Sequence, residues 1–160
     1  MTSWYQSRLS FFCLLLIGAI SLASAGPARA QNTDVFLTSF INTVNANMPP
    51  RLDIMVLSNA FTEDAVHHNV NQGPPQVGRE QIQQFFAGFK NAWSDWTHIE
   101  KSRVVQGNRA VWEGTAQGHD KESGKLIKLP IVFVLEFDDQ GKVREDRVYV
   151  DAHLIAEQMK

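Results

Sequence analysis

A cone-shaped α+β fold, about three N-terminal helices packed in a strongly curved antiparallel sheet, is predicted by a change of period along the chain. Up to Ala92 the apolar residues recur at helical spacing. From Ser94 onward they alternate with polar ones in four runs, separated by Gly107-Asn108, by "DKESG" (120–124) and by "DDQG" (138–141). Helices followed by a strand meander make an α+β architecture with the helices on one face of the sheet. Gly114 and Gly118, inside one of the strand runs, mark a bulge or bend that curves it into a cone.

The first thirty residues read as a processing segment. Arg8 supplies positive charge, "FFCLLLIGAISL" (11–22) an apolar run, and Ala28-Arg29-Ala30 a small-residue cleavage site, the three parts of a secretory signal in order. The run is shorter than the roughly 20 apolar residues that span a bilayer. The expected organisation is a cleaved signal peptide over 1–30 and a single domain over 31–160, exported to a periplasm or beyond the cell. Cys13 lies in the apolar run, so a chain starting at Gln31 holds no thiol for a disulfide, a zinc site or a nucleophile. Removing residues 1–30 takes away Arg8 and Arg29 and no acid, so 13 basic residues face 17 acidic ones, a formal charge of −4. That balance argues against nucleic acid or an anionic membrane as partner, since both demand a basic face.

Thr33 or Asp34 is expected to cap a first helix through "VFLTSFINTVNANM" (35–48), with Val35, Phe36, Phe40, Ile41 and Val44 on one stripe. Pro49-Pro50 ends it. "RLDIMVLSNAF" (51–61) suggests a second, short helix, with Leu52, Met55, Val56 and Leu57 near Phe61. "FTEDAVHHNV" leads into a short strand, and "NQGPPQVG" (71–78) is turn chemistry throughout. "REQIQQFFAGFKNAW" (79–93) is a third amphipathic helix, with a core stripe of Ile82, Phe85, Phe86 and Phe89. The strand candidates are 96–106, 108–119, 128–137 and 143–154.

The last of these carries the main candidate site. Arg147, Tyr149 and Asp151 alternate with Val148, Val150 and Ala152, so the cation, phenol and carboxylate share one face of a strand. That face is expected to be a pocket wall; the alternative is a structural salt bridge and hydrogen bond that tie the last strand to its neighbour. Of the adjacent His67 and His68 only one enters any common site, because neighbours on a strand point to opposite faces. His68 is expected in the pocket and His67 in solvent. The same parity argues against a metal site assembled from this pair with His119 or Asp64, so neither metal nor cofactor is expected. Trp93, Trp96 and Trp112 read as core or dimer-interface residues before ligand-stacking ones.

"LSNAFTEDAVHHNVNQGPPQVGREQIQQFF" (57–86) and "FDDQGKVREDRVYVD" (137–151) resemble the nuclear transport factor 2-like superfamily and the ending of its SnoaL-like polyketide cyclase branch. The resemblance covers about residues 34 to 155 and implies a conical fold, a mostly apolar cavity and a homodimer. It is weak for activity, because one scaffold hosts many chemistries and function lies in the site. In the ketosteroid isomerase branch, whose segment aligns with Phe61–Gly78 without a gap, the general base falls on Asn69 and the two oxyanion-hole donors on Phe40 and Phe133. An amide accepts no proton from carbon at neutral pH and phenyl rings donate nothing to an enolate, so that reaction is not expected. The SnoaL-like branch implies Asp151 as general acid/base, with His119 and Tyr149 as donors. Arg147, His68, Asn69, Phe40, Phe133 and Trp112 would contact an apolar, carbonyl-type ligand. Arg147 beside Asp151 departs from the aromatic residue usual there and favours anchoring an anion over proton shuttling. The expectation is thus an exported, cofactor-independent isomerase, cyclase or hydrolase; the alternative is a non-catalytic ligand-binding or dimeric interaction module.

Overall fold

The computed structural model describes residues 26–160 except Asn71; the apolar run at 11–22 and Cys13 lie outside the described residues. The elements run α1 (Gly26–Asn47), α2 (Ile54–Asn59), β1 (Phe61–Asn69), β2 (Gln76–Val77), α3 (Arg79–Ala92), β3 (Thr97–Gln106), β4 (Arg109–His119), β5 (Leu126–Phe137), β6 (Val143–Val150) and α4 (Ala152–Met159). The six strands form one sheet in the order β2-β1-β6-β5-β4-β3. All neighbours are antiparallel except β1 and β6, which run parallel. The expected class is present, with this parallel pair and a fourth helix added.

Leu37, Phe40, Ile41 and Val44 form the buried stripe of α1, with Met48 buried just past its end, whereas Val35 is 61% exposed. The helix begins at Gly26 and runs through the expected cap at Thr33 or Asp34, which do other work. Thr33 is buried and donates to the carbonyl of Gly107 at 2.8 Å. Asp34 and Thr38 both accept from the Arg103 guanidinium, which ties α1 to β3. Asp53 caps α2 by accepting from the Val56 N–H, as an aspartate at a helix start does. Only Leu57 of the predicted apolar set of α2 is fully buried; Met55 and Val56 face out. Within the predicted turn, Gln76-Val77 pairs with β1, and Gly78 begins α3.

The sheet bends where β3 and β4 lose register between Glu100 and Ser102, opposite Gly114. A Cβ on Gly114 would meet the Ile99 carbonyl oxygen and the Trp112 ring at 2.2 Å each, and one on Gly118 would meet the Asp95 carbonyl at 2.3 Å. Both glycines let a strand and a tryptophan approach closely at the bend. The inward side chains form rows across the strands. One row is Ala110, Leu135, Asp146 and His67; the next is Trp112, Phe133, Val148 and Asn69. The helices close over these rows and leave a cavity between α1, α3, the sheet and α4.

Candidate functional site

The cavity has a volume of about 380 Å³, within the range of small-molecule sites. Its helix-side wall is aromatic. Phe85, Phe86 and Phe89 of α3 continue into Trp93 and Trp96, whose ring centroids are 4.3 Å apart. Phe40 and Val44 of α1, Met48 just beyond it, and Leu129, Ile131 and Phe133 of β5 complete the apolar lining, with Ile155 of α4 at one end. The polar lining groups are His67, Asn69, Gln72, His98 and Asp146, and among the described residues no Lys or Arg lines the cavity.

His67 and Asp146 form its chemical centre. They are register partners on the parallel strands β1 and β6, so their side chains leave the same face of the sheet side by side. His67 is 3% exposed and Asp146 2%. His67 Nδ1 lies 2.9 Å from Asp146 Oδ2. A carboxylate only accepts, so Nδ1 carries the hydrogen; in the neutral imidazole Nε2 then keeps its lone pair. Neither His67 Nε2 nor Asp146 Oδ1 has a hydrogen-bond partner among the described residues. The Phe85 ring lies against the imidazole, with centroids 4.4 Å apart.

His98 is the opposite case. Trp96 Nε1–H donates to its Nε2 at 3.2 Å, and its Nδ1–H points to Asn45 Oδ1, also at 3.2 Å. Asn45 further exchanges hydrogen bonds with the backbone of residue 98, accepting from its N–H and donating to its carbonyl. Both ring nitrogens are committed, and burial pushes the imidazole down to a pKa of about 4. His98 is therefore a neutral wall group that holds α1 to β3.

Asp151 does not reach this cavity. It is exposed, and its Oδ1 accepts from the His153 N–H at 2.9 Å as the N-cap of α4. β6 stops at Val150 and the chain turns into a helix, where a strand through Leu154 was expected. Tyr149 is 42% exposed on the outer face, and Arg147 pairs with Glu145 at 3.2 Å. The Arg147, Tyr149 and Asp151 face is thus the outside of the sheet, because Asp146, Val148 and Val150 take the parity that faces the core. His119 is also at the surface: its Nδ1 meets Asp95 Oδ2 at 2.8 Å, and its backbone N–H donates to Asp95 Oδ1. That backbone hydrogen bond holds the Asp95 carboxyl below its ordinary range. The histidine pair is reversed from the expectation, His67 being buried and His68 only partly so. Asn69, Phe40 and Phe133 do line the cavity. Trp112 is fully buried behind Phe133 and His98, its Nε1–H given to Glu100 Oε2 at 2.9 Å.

Two signals point to the pair that the sequence pattern did not single out. Asp146 stands on the parity of Val148 and Val150, and His67 on that of Phe61 and Ala65, so each is a polar residue in line with core-facing apolar ones. Buried polar groups of this kind are the ones that need an explanation.

The SnoaL-like domain family profile matches residues 37–146, a span that contains both members of the pair. The chain belongs to the SnoaL-like domain family. No curated protein matches it. Among solved structures, a putative polyketide cyclase from Xanthomonas campestris superposes with a TM-score of 0.69 at 18% identity, over 82% of this chain and 99% of that one. A putative SnoaL-like polyketide cyclase from Shewanella denitrificans gives 0.67 at 17% identity, over 80% and 96%. An epoxide hydrolase from M. tuberculosis of the LEH-like type gives 0.65 at 16%, over 81% and 90%. These likenesses establish the conical fold and leave the chemistry to the residues in the cavity.

Proposed function

We propose that this SnoaL-like protein binds a compact, largely apolar small molecule and moves a proton within it without a cofactor, as in an isomerisation or ring closure. The observation that carries the reading is the buried His67–Asp146 pair on the wall of an apolar cavity, with Nε2 unpartnered. Nε2 takes a proton from carbon beside a carbonyl, the C–H electron pair passes into the enolate, and the imidazolium is held by the Asp146 carboxylate. The same Nε2–H then returns the proton at a second carbon, so the ligand is rearranged with no net gain or loss of atoms. Asp146 sets the tautomer and ring orientation through Nδ1, and the carboxamides of Asn69 and Gln72 are the neutral donors available to the developing oxygen charge.

The test is deuterium uptake from solvent into a cyclic ketone such as tetralone, followed by NMR. The wild-type protein accelerates uptake, His67→Gln reduces the acceleration by about a hundredfold or more, and Asp151→Asn leaves it intact. Loss with Asp151→Asn but not with His67→Gln would overturn the assignment.

A second reading is favoured by the Phe85 ring packed, tilted, against His67: the pair ties β1 to β6, and the cavity carries a ligand without turning it over. Ligand binding without accelerated exchange supports that reading. Two further proposals rest on separate features. Export follows from the three-part signal within residues 1–30. Homodimerisation is supported by exposed Ile99, Val104, Val111 and Tyr149, and light scattering of the purified protein tests it.

A further inference from the structure

Asp146 is a carboxylate almost wholly removed from water, and among the described residues its only hydrogen-bonding partner is a histidine on the adjacent strand. Its Oδ1 has none. Buried carboxylates are normally balanced by a cation or by several donors, and the residues lining this cavity include no Lys or Arg. Phe85 and Phe86 of α3, and Phe61 of β1 itself, lie within 6.4 Å of the imidazole between ring centroids. The aromatic wall continues with Phe89, Trp93 and Trp96. Aromatic faces carry negative electrostatic potential and attract cations, most strongly in a desolvated site. The orphaned carboxylate oxygen and the ring wall therefore favour the same sign of charge, and both disfavour an anion.

We propose that the cavity selects an organic cation: an apolar or aromatic body bearing a protonated amine, whose N–H donates to the carboxylate end of the His67–Asp146 pair while the body lies against the rings. This rests on the cavity reading above and adds the charge class of the ligand. It also reverses the expectation of an anion-anchoring site at Arg147, which lies on the outer face.

A matched series tests it: naphthylmethylamine, which is protonated at neutral pH, the neutral naphthylmethanol, and anionic naphthoate, with affinities read by titration calorimetry. The amine is expected to bind about tenfold tighter than the alcohol, and naphthoate weakest of the three. In Asp146→Asn the amine-to-alcohol ratio falls towards one. Should that variant fail to fold, as judged by circular dichroism, Trp96→Leu removes a ring face and is expected to lower the ratio. The wild-type ranking decides the matter by itself: an amine preference below about threefold, or naphthoate binding as tightly as the alcohol, overturns the proposal. Absence of binding by all three probes overturns the cavity reading as well. Alcohol binding with no amine preference removes only the charge selectivity and leaves the proton-transfer reading standing.

Discussion

Acidification should destabilise this protein through His98, and the effect can be isolated by replacing that one residue. In the folded chain its imidazole is enclosed by Asn45, Trp96, Trp112 and Phe133, and burial lowers its pKa from 6.5 to about 4. The unfolded chain therefore binds this proton at a higher pH than the folded one. Stability from His98 is fully present above the unfolded value of 6.5, declines as pH falls, and is lost once pH passes below about 4. Every tenfold difference in proton affinity between the folded and unfolded chains is worth about 1.4 kcal/mol, so between about pH 7 and pH 4.5 the loss comes to roughly 2–3 kcal/mol. His98→Gln keeps a donor and an acceptor at the site and cannot titrate. The assay is urea denaturation followed by tryptophan fluorescence at the two pH values, for wild type and variant. Wild type should lose roughly 2–3 kcal/mol more than His98→Gln over this interval. Equal losses would show that the imidazole accepts its proton as readily in the folded state, which would refute its role as a neutral wall group.

Gly114→Ala pushes a methyl group against the Ile99 carbonyl and the Trp112 ring; overpacking of this kind costs about 1–3 kcal/mol, read as a drop of several degrees in Tm. Asp151→Ala removes the N-cap of α4 at a cost of about 1 kcal/mol. It should speed amide exchange across Ala152–Met159 while leaving probe binding in the cavity unchanged. His119→Ala breaks an exposed pair with Asp95 and is expected to shift stability by less than about 1 kcal/mol, with no change in probe affinity. N-terminal sequencing of exported protein should begin at Gln31; a chain beginning at Met1 in that fraction would refute cleavage after Ala30.

Much of the architecture was legible because each element repeats its own signal. The strand candidates 96–106, 108–119 and 128–137 agree closely with β3, β4 and β5; alternating burial runs the length of β4 and β5, and the turn residues Gly107-Asn108 mark the end of β3. The same arithmetic misplaced the site. Alternation in 143–151 sorts Arg147, Tyr149 and Asp151 from Asp146, Val148 and Val150, but it does not say which set faces inward. The valines seek the core, which turns Asp146 inward and leaves the cation, phenol and carboxylate on the outer face. Likewise, parity separates His67 from His68 without saying which is buried. The end of β6 was missed because Asp151 reads equally as a strand residue and as the cap of "AHLIAEQM".

Sequence alone determined the fold class, the family resemblance, the strand run of the last third and the apolar character of Phe40 and Phe133 in the cavity. These follow from local periodicity and side-chain chemistry, which are properties of neighbours along the chain. Only the tertiary structure decided that His67 and Asp146, separated by 79 positions, are partners at 2.9 Å. Their meeting requires β1 to lie parallel beside β6, a pairing between distant segments. Which face of that pair is buried was settled by the helices that close over it.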